Sequence, residues 1–158
     1  MIKMFKLYIR PIMEFSSCVW NTGFHQDVTK LEAVQRRWTK SVAGFANLSY
    51  SERLNRLNLY SVKGRLLRID LIKVWKIFNN LSPIKPEDLF ILSNLNTCGH
   101  SFKIFVPYSN CESRKRFFFV RTIPLWNSLP TDLVSSTSLS TFKQGLHVFL
   151  NNLLFEFE

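Results

Sequence analysis

Apolar residues recur at three- and four-residue steps through the first half of this chain, and that step fades after residue 83. Phe5, Tyr8, Ile9, Ile12 and Phe15 fall on one face of a helix predicted from Met1 to about Trp20. Pro11 lacks an N–H for the helical ladder and must kink or restart it; Asn21-Thr22-Gly23 is the predicted break. A second helix starts near Asp27, a good N-cap, and stops at Gly44, a good residue just past a helix end. Leu31, Val34, Trp38 and Val42 mark one side of it, and Lys30, Arg36, Arg37 and Lys40 another. Ser49-Tyr50-Ser51-Glu52 is a capping box that opens a short helix through Leu57. Ser61 caps a longer helix running to about Leu81, where Ser82-Pro83 ends it. Its stripe Leu67, Leu71, Val74, Phe78, Leu81 steps by four and three and is expected to face a core. Arg65, Arg68 and Lys76 lie opposite, interrupted by Ile69 and Ile72, so partial cover is expected on the basic side as well.

From Pro83 to Pro130, Pro, Asn, Ser and β-branched or aromatic residues dominate. Ser101–Val106 and Arg116–Val120 read as short strands that can pair as a hairpin around Ser109-Asn110. Helical spacing returns over Ser138–Leu153 through Phe142, Leu146, Phe149 and Leu153. The fold class expected is mainly α. A basic helical subdomain over residues 1–82 precedes a mixed segment over 83–158 with a β-hairpin and a C-terminal helix, and the two can also pack as one domain.

Charge sharpens this picture. The 158 residues carry a formal charge of +10 at 46% hydrophobic composition, which favours a polyanionic partner, nucleic acid first and anionic membrane second, and leaves enough apolar side chains for a core. Between Lys30 and Lys76 eleven Lys/Arg face only Glu32, Glu52 and Asp70, so most of the excess sits in under a third of the chain. Clustered cations are what a phosphate-backbone surface requires, because each neutralised phosphate releases counterions. Three cysteines with no CxxC fit a reducing compartment, in the nucleus or cytoplasm. The first residues interleave charges with apolar side chains, unlike a signal peptide, and no apolar run approaches the roughly 18 residues that span a bilayer. The expectation is a soluble intracellular chain.

Catalytic chemistry finds little support. Polymerases hold two divalent metals on paired carboxylates; the acidic neighbours Glu87-Asp88 follow Pro86 at a helix start, where the helix dipole accounts for them, and no Tyr-x-Asp-Asp occurs. Cys98-Gly99-His100 spaces its ligands too closely for zinc, and with Cys111 it still lacks a fourth, so a turn on Gly99 is preferred. His25, His100 and His147 are scattered from any thiol, and the five glycines form no phosphate loop. No catalytic residue, metal or cofactor is therefore assigned. Arg36, Arg37, Lys40, Arg65 and Arg68 are the candidate nucleic-acid contacts, since arginine forks match phosphate geometry. Such contacts position a duplex without reading its sequence. Trp38 and Trp75 can stack on bases or anchor the core, and the core is favoured because both adjoin apolar stripes. Trp126-Asn127-Ser128-Leu129-Pro130 reads as a structural corner, with Trp and Leu anchoring it and Asn and Ser satisfying local backbone groups.

An ordered series of short tracts runs from about Phe5 to Leu150. It begins with Arg10-Pro11-Ile12, Glu14-Phe15, Val19-Trp20-Asn21, Leu31-Glu32 and Val34-Gln35-Arg36-Arg37. It continues with Ser49-Tyr50, Glu52-Arg53-Leu54, Asp70-Leu71, Gly99-His100-Ser101 and Arg121, and closes with Trp126-Asn127-Ser128-Leu129-Pro130 and Phe142-Lys143. The series resembles the region after the palm in reverse transcriptases of LINE-type (non-LTR) retrotransposons, most like the jockey-like and chicken-repeat-like branches. The resemblance implies a helical thumb plus a C-terminal extension of an RNA-directed DNA polymerase, cradling an RNA or RNA–DNA template–primer through its backbone and catalytically incompetent alone. Gly64 departs from that family's usual tandem arginine, and Phe15 from its commoner tyrosine. The alternatives are a helical protein-interaction domain whose apolar faces dock on the absent palm or another partner, and a decayed fragment with no independent activity.

Overall fold

In the computed structural model, residues 2–93 and 100–150 are described, and they are mainly helical with no sheet. Two compact units divide them. The first takes in the described residues up to Leu67 together with Leu150, and the second runs from Arg68 to Phe149. The change of composition at Pro83 thus falls inside the second unit. The principal helices are α1 (His25–Lys40), α2 (Tyr50–Leu57), α3 (Val62–Phe78), α4 (Ile123–Asn127) and α5 (Leu139–Phe149). The expected end of the last helix at Leu153 lies outside the described residues.

The N-terminal segment departs from its predicted face, and Pro11 is the reason. Helix over Ile2–Met4 widens into a π-type turn over Phe5–Ile9 before α-helix resumes at Arg10–Glu14. The Arg10 amide bonds to the Phe5 carbonyl five residues back, which accommodates the following proline's ring and missing donor. The extra residue in that turn rotates everything after it, so the pattern that groups Phe5 with Tyr8, Ile9, Ile12 and Phe15 fails. Phe5 is buried and stacks on Trp38 at 4.2 Å, while Ile12 and Phe15 are each 78% exposed. Met13 turns inward instead, against Val28, Val62 and Leu66. The helix also breaks earlier than predicted: Phe15 is extended and Ser16 is left-handed at φ 50°, before a short turn of helix over Ser17–Trp20.

α1 starts two residues ahead of Asp27 and ends at Lys40, with Gly44 (φ 81°) four residues beyond. Its buried row is Val28, Glu32, Gln35 and Thr39, and Val34 is 47% exposed, so the predicted Leu31–Val34–Trp38–Val42 side is not the one most deeply covered. α2 opens on the predicted capping box: the Glu52 amide donates to Ser49 Oγ, and the Ser49 amide donates to the Glu52 carboxylate at 2.8 Å. Asn58 in the left-handed region turns the chain so that the Leu59 amide reaches the Leu54 carbonyl. Leu54, Leu57 and Leu59 form one cluster, against which Ile2, Trp38, Phe45 and Tyr50 pack.

Ser61 caps α3 by accepting from the Gly64 amide. Between Gly64 and Phe78 no residue is exposed, which agrees with the expectation of partial cover on the basic side that Ile69 and Ile72 interrupt. α3 ends at Phe78 rather than near Leu81: Asn80 adopts φ 54°, the Leu81 amide reaches back to the Lys76 carbonyl, and the Leu81 side chain is exposed.

In the second unit, Trp126 lies at 0% exposure, stacked on Phe78 at 5.3 Å, and Trp75 stacks on Phe142 at the same separation. The expected pairing of Ser101–Val106 with Arg116–Val120 does not form. Ile104 instead bridges Leu92, flanked by bonds from the Ser93 amide to the Lys103 carbonyl and from the Phe105 amide to the Ile91 carbonyl. Arg116 lies in a turn and Phe118–Arg121 is helical, with the Phe117 carbonyl accepting from the Val120 and Arg121 amides in place of a strand partner. Asn127 takes the place of a second strand: its side chain accepts from the Ile104 amide at 2.9 Å and donates to the Ile104 carbonyl at 2.8 Å. Its partner is thus 23 residues away rather than local, while Ser128 does satisfy a near neighbour, Leu125. No described helix is long and apolar enough to cross a membrane.

Candidate nucleic-acid interface

α1 presents Lys30, Arg36, Arg37 and Lys40, all exposed, within about 120° of its circumference at 3.6 residues per turn. Ala33, also exposed, lies in the middle of that arc and leaves the approach to it open. Among the described residues no ion pair involves Lys30, Arg37 or Lys40. Arg37 and Lys40 occupy the last turn, where the helix dipole also favours cations.

The opposite side of α1 fixes this face in place through polar contacts. Glu32, fully buried, accepts from the Tyr50 hydroxyl and from the Val62 amide at 2.8 Å, tying α1 to the starts of α2 and α3. Gln35 donates to the Tyr50 hydroxyl at 3.1 Å and to the Tyr60 carbonyl at 2.9 Å. Burial raises the Glu32 carboxyl above its ordinary range, against the Tyr50, Val62 and Lys63 donors that favour its charged form. Burial also raises the Tyr50 phenol, and the neighbouring Glu32 charge adds to the rise. The Tyr50 ring lies under two guanidiniums, Arg36 at 4.8 Å and Arg53 at 5.6 Å. Arg36 is therefore oriented by an aromatic face while remaining exposed.

The other two candidate arginines are engaged within the protein. Arg65 forms a two-pronged pair with Glu14, with Nη2 3.1 Å from Oε2, and Arg10 Nε stands 3.7 Å from the same carboxylate. Burial lowers the Arg10 pKa, and the Arg65 charge lowers it further. Arg68 belongs to the second unit, where Nη2 donates to the Lys143 carbonyl at 3.1 Å. The structure thus brings Arg36, Arg37 and Lys40 together on one helix face, while Arg65 is engaged by Glu14 and Arg68 by the Lys143 carbonyl. Trp38 and Trp75 are core residues through their stacks on Phe5 and Phe142.

Lys30 joins the basic face directly from the helical wheel. Glu32, Gln35 and Tyr50 were not singled out as positioning residues, although polar residues at 32, 35 and 39 share one helical row. A polar row reads as solvent-facing until its partners are known.

Among the described residues no group of three or more His, Cys, Asp or Glu is placed to hold a metal ion; Cys98 and Gly99 lie outside them. His100 is buried, donates to the Trp126 carbonyl at 3.0 Å and meets the Trp126 ring edge to face. Burial lowers its pKa, the Trp126 carbonyl raises it and the Lys103 charge lowers it. His100 accordingly pins the Trp126 corner. No family model, curated protein or solved structure matches the chain.

Proposed function

We propose that this chain is a non-catalytic C-terminal part of a LINE-type retrotransposon reverse transcriptase, and that α1 contacts the sugar-phosphate backbone of a template–primer duplex. The single observation that supports this most is the arc of exposed cations Arg36, Arg37 and Lys40, joined by Lys30, anchored from behind by the Glu32–Tyr50–Val62 bonds. A fixed helix removes the backbone part of the ordering cost when these groups meet phosphates, and the planar Arg fork loses less freedom per hydrogen bond than an ammonium. The contact is electrostatic and sequence-indifferent.

Anisotropy titrations of an RNA–DNA duplex across a salt series test it. Log affinity should fall linearly with log salt, and Arg36→Gln/Arg37→Gln/Lys40→Gln should flatten the slope by two to three, at about 0.9 per duplex phosphate released. A slope unchanged by that triple variant sinks the reading.

A second reading, protein docking, is favoured by one observation. Leu7, Tyr8, Ile12, Phe15 and Val19 are each more than 60% exposed along the N-terminal segment, and an apolar surface of that kind marks interaction sites. The isolated chain should then bind a hydrophobic dye strongly while folded, with Ile12→Ser/Phe15→Ser cutting the signal by more than half. A folded chain that leaves the dye dark excludes docking through this face.

A further inference from the structure

The second unit contains a cavity of about 330 Å³. It lies at the low end of the roughly 300–1,000 Å³ typical of small-molecule pockets. Its walls are phenylalanine-rich: Phe90, Phe105, Phe117 and Phe119 line it, Ile104 closes one side, and Arg114 stands at it as a cation.

The rings are held in place. Phe117 and Phe119 meet edge to face at 5.2 Å, and Phe119 meets Phe90 in the same manner at 5.7 Å. The backbone at Phe105 is fixed by its amide bond to the Ile91 carbonyl, and that at Phe117 by the two amides its carbonyl accepts. Phe105 and Phe117 remain 52% and 54% exposed, so each offers open ring surface. Lys103, Arg114, Lys115 and Arg116 are interleaved with these aromatics in the chain, and Glu112 is the one acid between His100 and Arg121. Lys115 pairs with Glu112, whereas Arg114 is exposed and makes no ion pair among the described residues.

We infer that this cavity receives one unpaired nucleobase of a single strand, stacked on Phe117 and Phe105, with its phosphate on Arg114. An apolar, ring-lined recess suits the face of any base, and the adjoining cations suit the backbone that carries it. The apolar walls leave little means of telling one base from another, so the capture is tolerant of sequence. The inference rests on the nucleic-acid reading above, but it uses a different unit, different residues and a different form of the ligand.

The test uses the full chain and a single-stranded oligonucleotide carrying one 5-iodouracil, which photocrosslinks to an aromatic ring it stacks on. The crosslink should map to Phe117 or Phe105. Phe117→Ala should lower single-strand affinity about tenfold, within the range found when a stacking ring is removed, while duplex affinity stays constant and the chain remains folded. Arg114→Gln should flatten the single-strand salt slope by about 0.7. A crosslink confined to other residues, or single-strand affinity indifferent to Phe117→Ala, overturns the inference, as does occupation of the cavity by a fluorescent fatty acid that an excess of oligonucleotide does not displace. Duplex binding lost with Arg36, Arg37 and Lys40 while the Phe117 crosslink persists would leave this site standing, and the converse result would leave only the α1 surface.

Discussion

Asp70→Ala should destabilise the chain by about 4 kcal/mol, the size expected when one partner of a buried ion pair is removed. Asp70 is 1% exposed on α3, and Arg121 reaches its Oδ2 with Nη2 at 2.9 Å and Nε at 3.2 Å. Arg121 also donates to the Arg116 carbonyl and lies over the Phe118 ring, so the pair ties α3 to the Phe118–Arg121 turn within the second unit. Without the carboxylate a guanidinium with only 14% side-chain exposure loses its counter-charge. Urea unfolding should register this as a lower midpoint with little change in slope, and thermal unfolding as a drop of about 12 °C for a chain of this size. Asp70→Leu/Arg121→Met should recover most of the loss, because two apolar side chains of similar volume need no solvation. A loss below about 1 kcal/mol for the single variant would mean that water reaches the pair.

Glu32→Ala carries the second large effect, about 3 kcal/mol, through the loss of the acceptor for the Tyr50 hydroxyl and the Val62 amide. Glu32→Gln should cost less, since an amide oxygen can still accept one of the two. The pair of variants also has a pH signature. Burial raises the Glu32 carboxyl, so the folded state binds that proton more tightly than the unfolded state. The resulting contribution is fully present below the unfolded value near 4.5 and is lost as pH rises through the raised folded value. The stability of the parent chain relative to Glu32→Gln should therefore decline over that window and level off above it. A relative stability that instead rises with pH there would show that the Tyr50 and Val62 donors outweigh burial. Either substitution should also loosen the orientation of the Arg36–Arg37–Lys40 face, which links the stability of the first unit to its proposed contact.

Much of the local structure could be read from single residues. Ser49 and Glu52 make a capping box whose bonds are satisfied within four residues, so tertiary context had little to add. The cationic arc of α1 was equally legible, because the angular placement of its charges follows from the 3.6-residue period alone. Other features depend on partners far along the chain. The π-type turn ahead of Pro11 added a residue to the helical count and moved Tyr8, Ile9, Ile12 and Phe15 off the predicted buried face. Arg65 reads in the sequence much as Arg36 does, but Glu14, 51 residues away, takes its guanidinium. The hairpin expected after residue 100 gave way to Asn127, whose amide side chain offers Ile104 the donor and acceptor that another strand would have supplied.

Periodicity, caps and charge placement are properties of contiguous residues, and for this chain they were enough to specify a helical protein with a basic face on α1. Which polar groups are buried, and which cations are already spent on internal partners, follows from contacts between residues tens of positions apart. A buried polar group is tolerated only where its partner is found, and that partner is supplied by the fold.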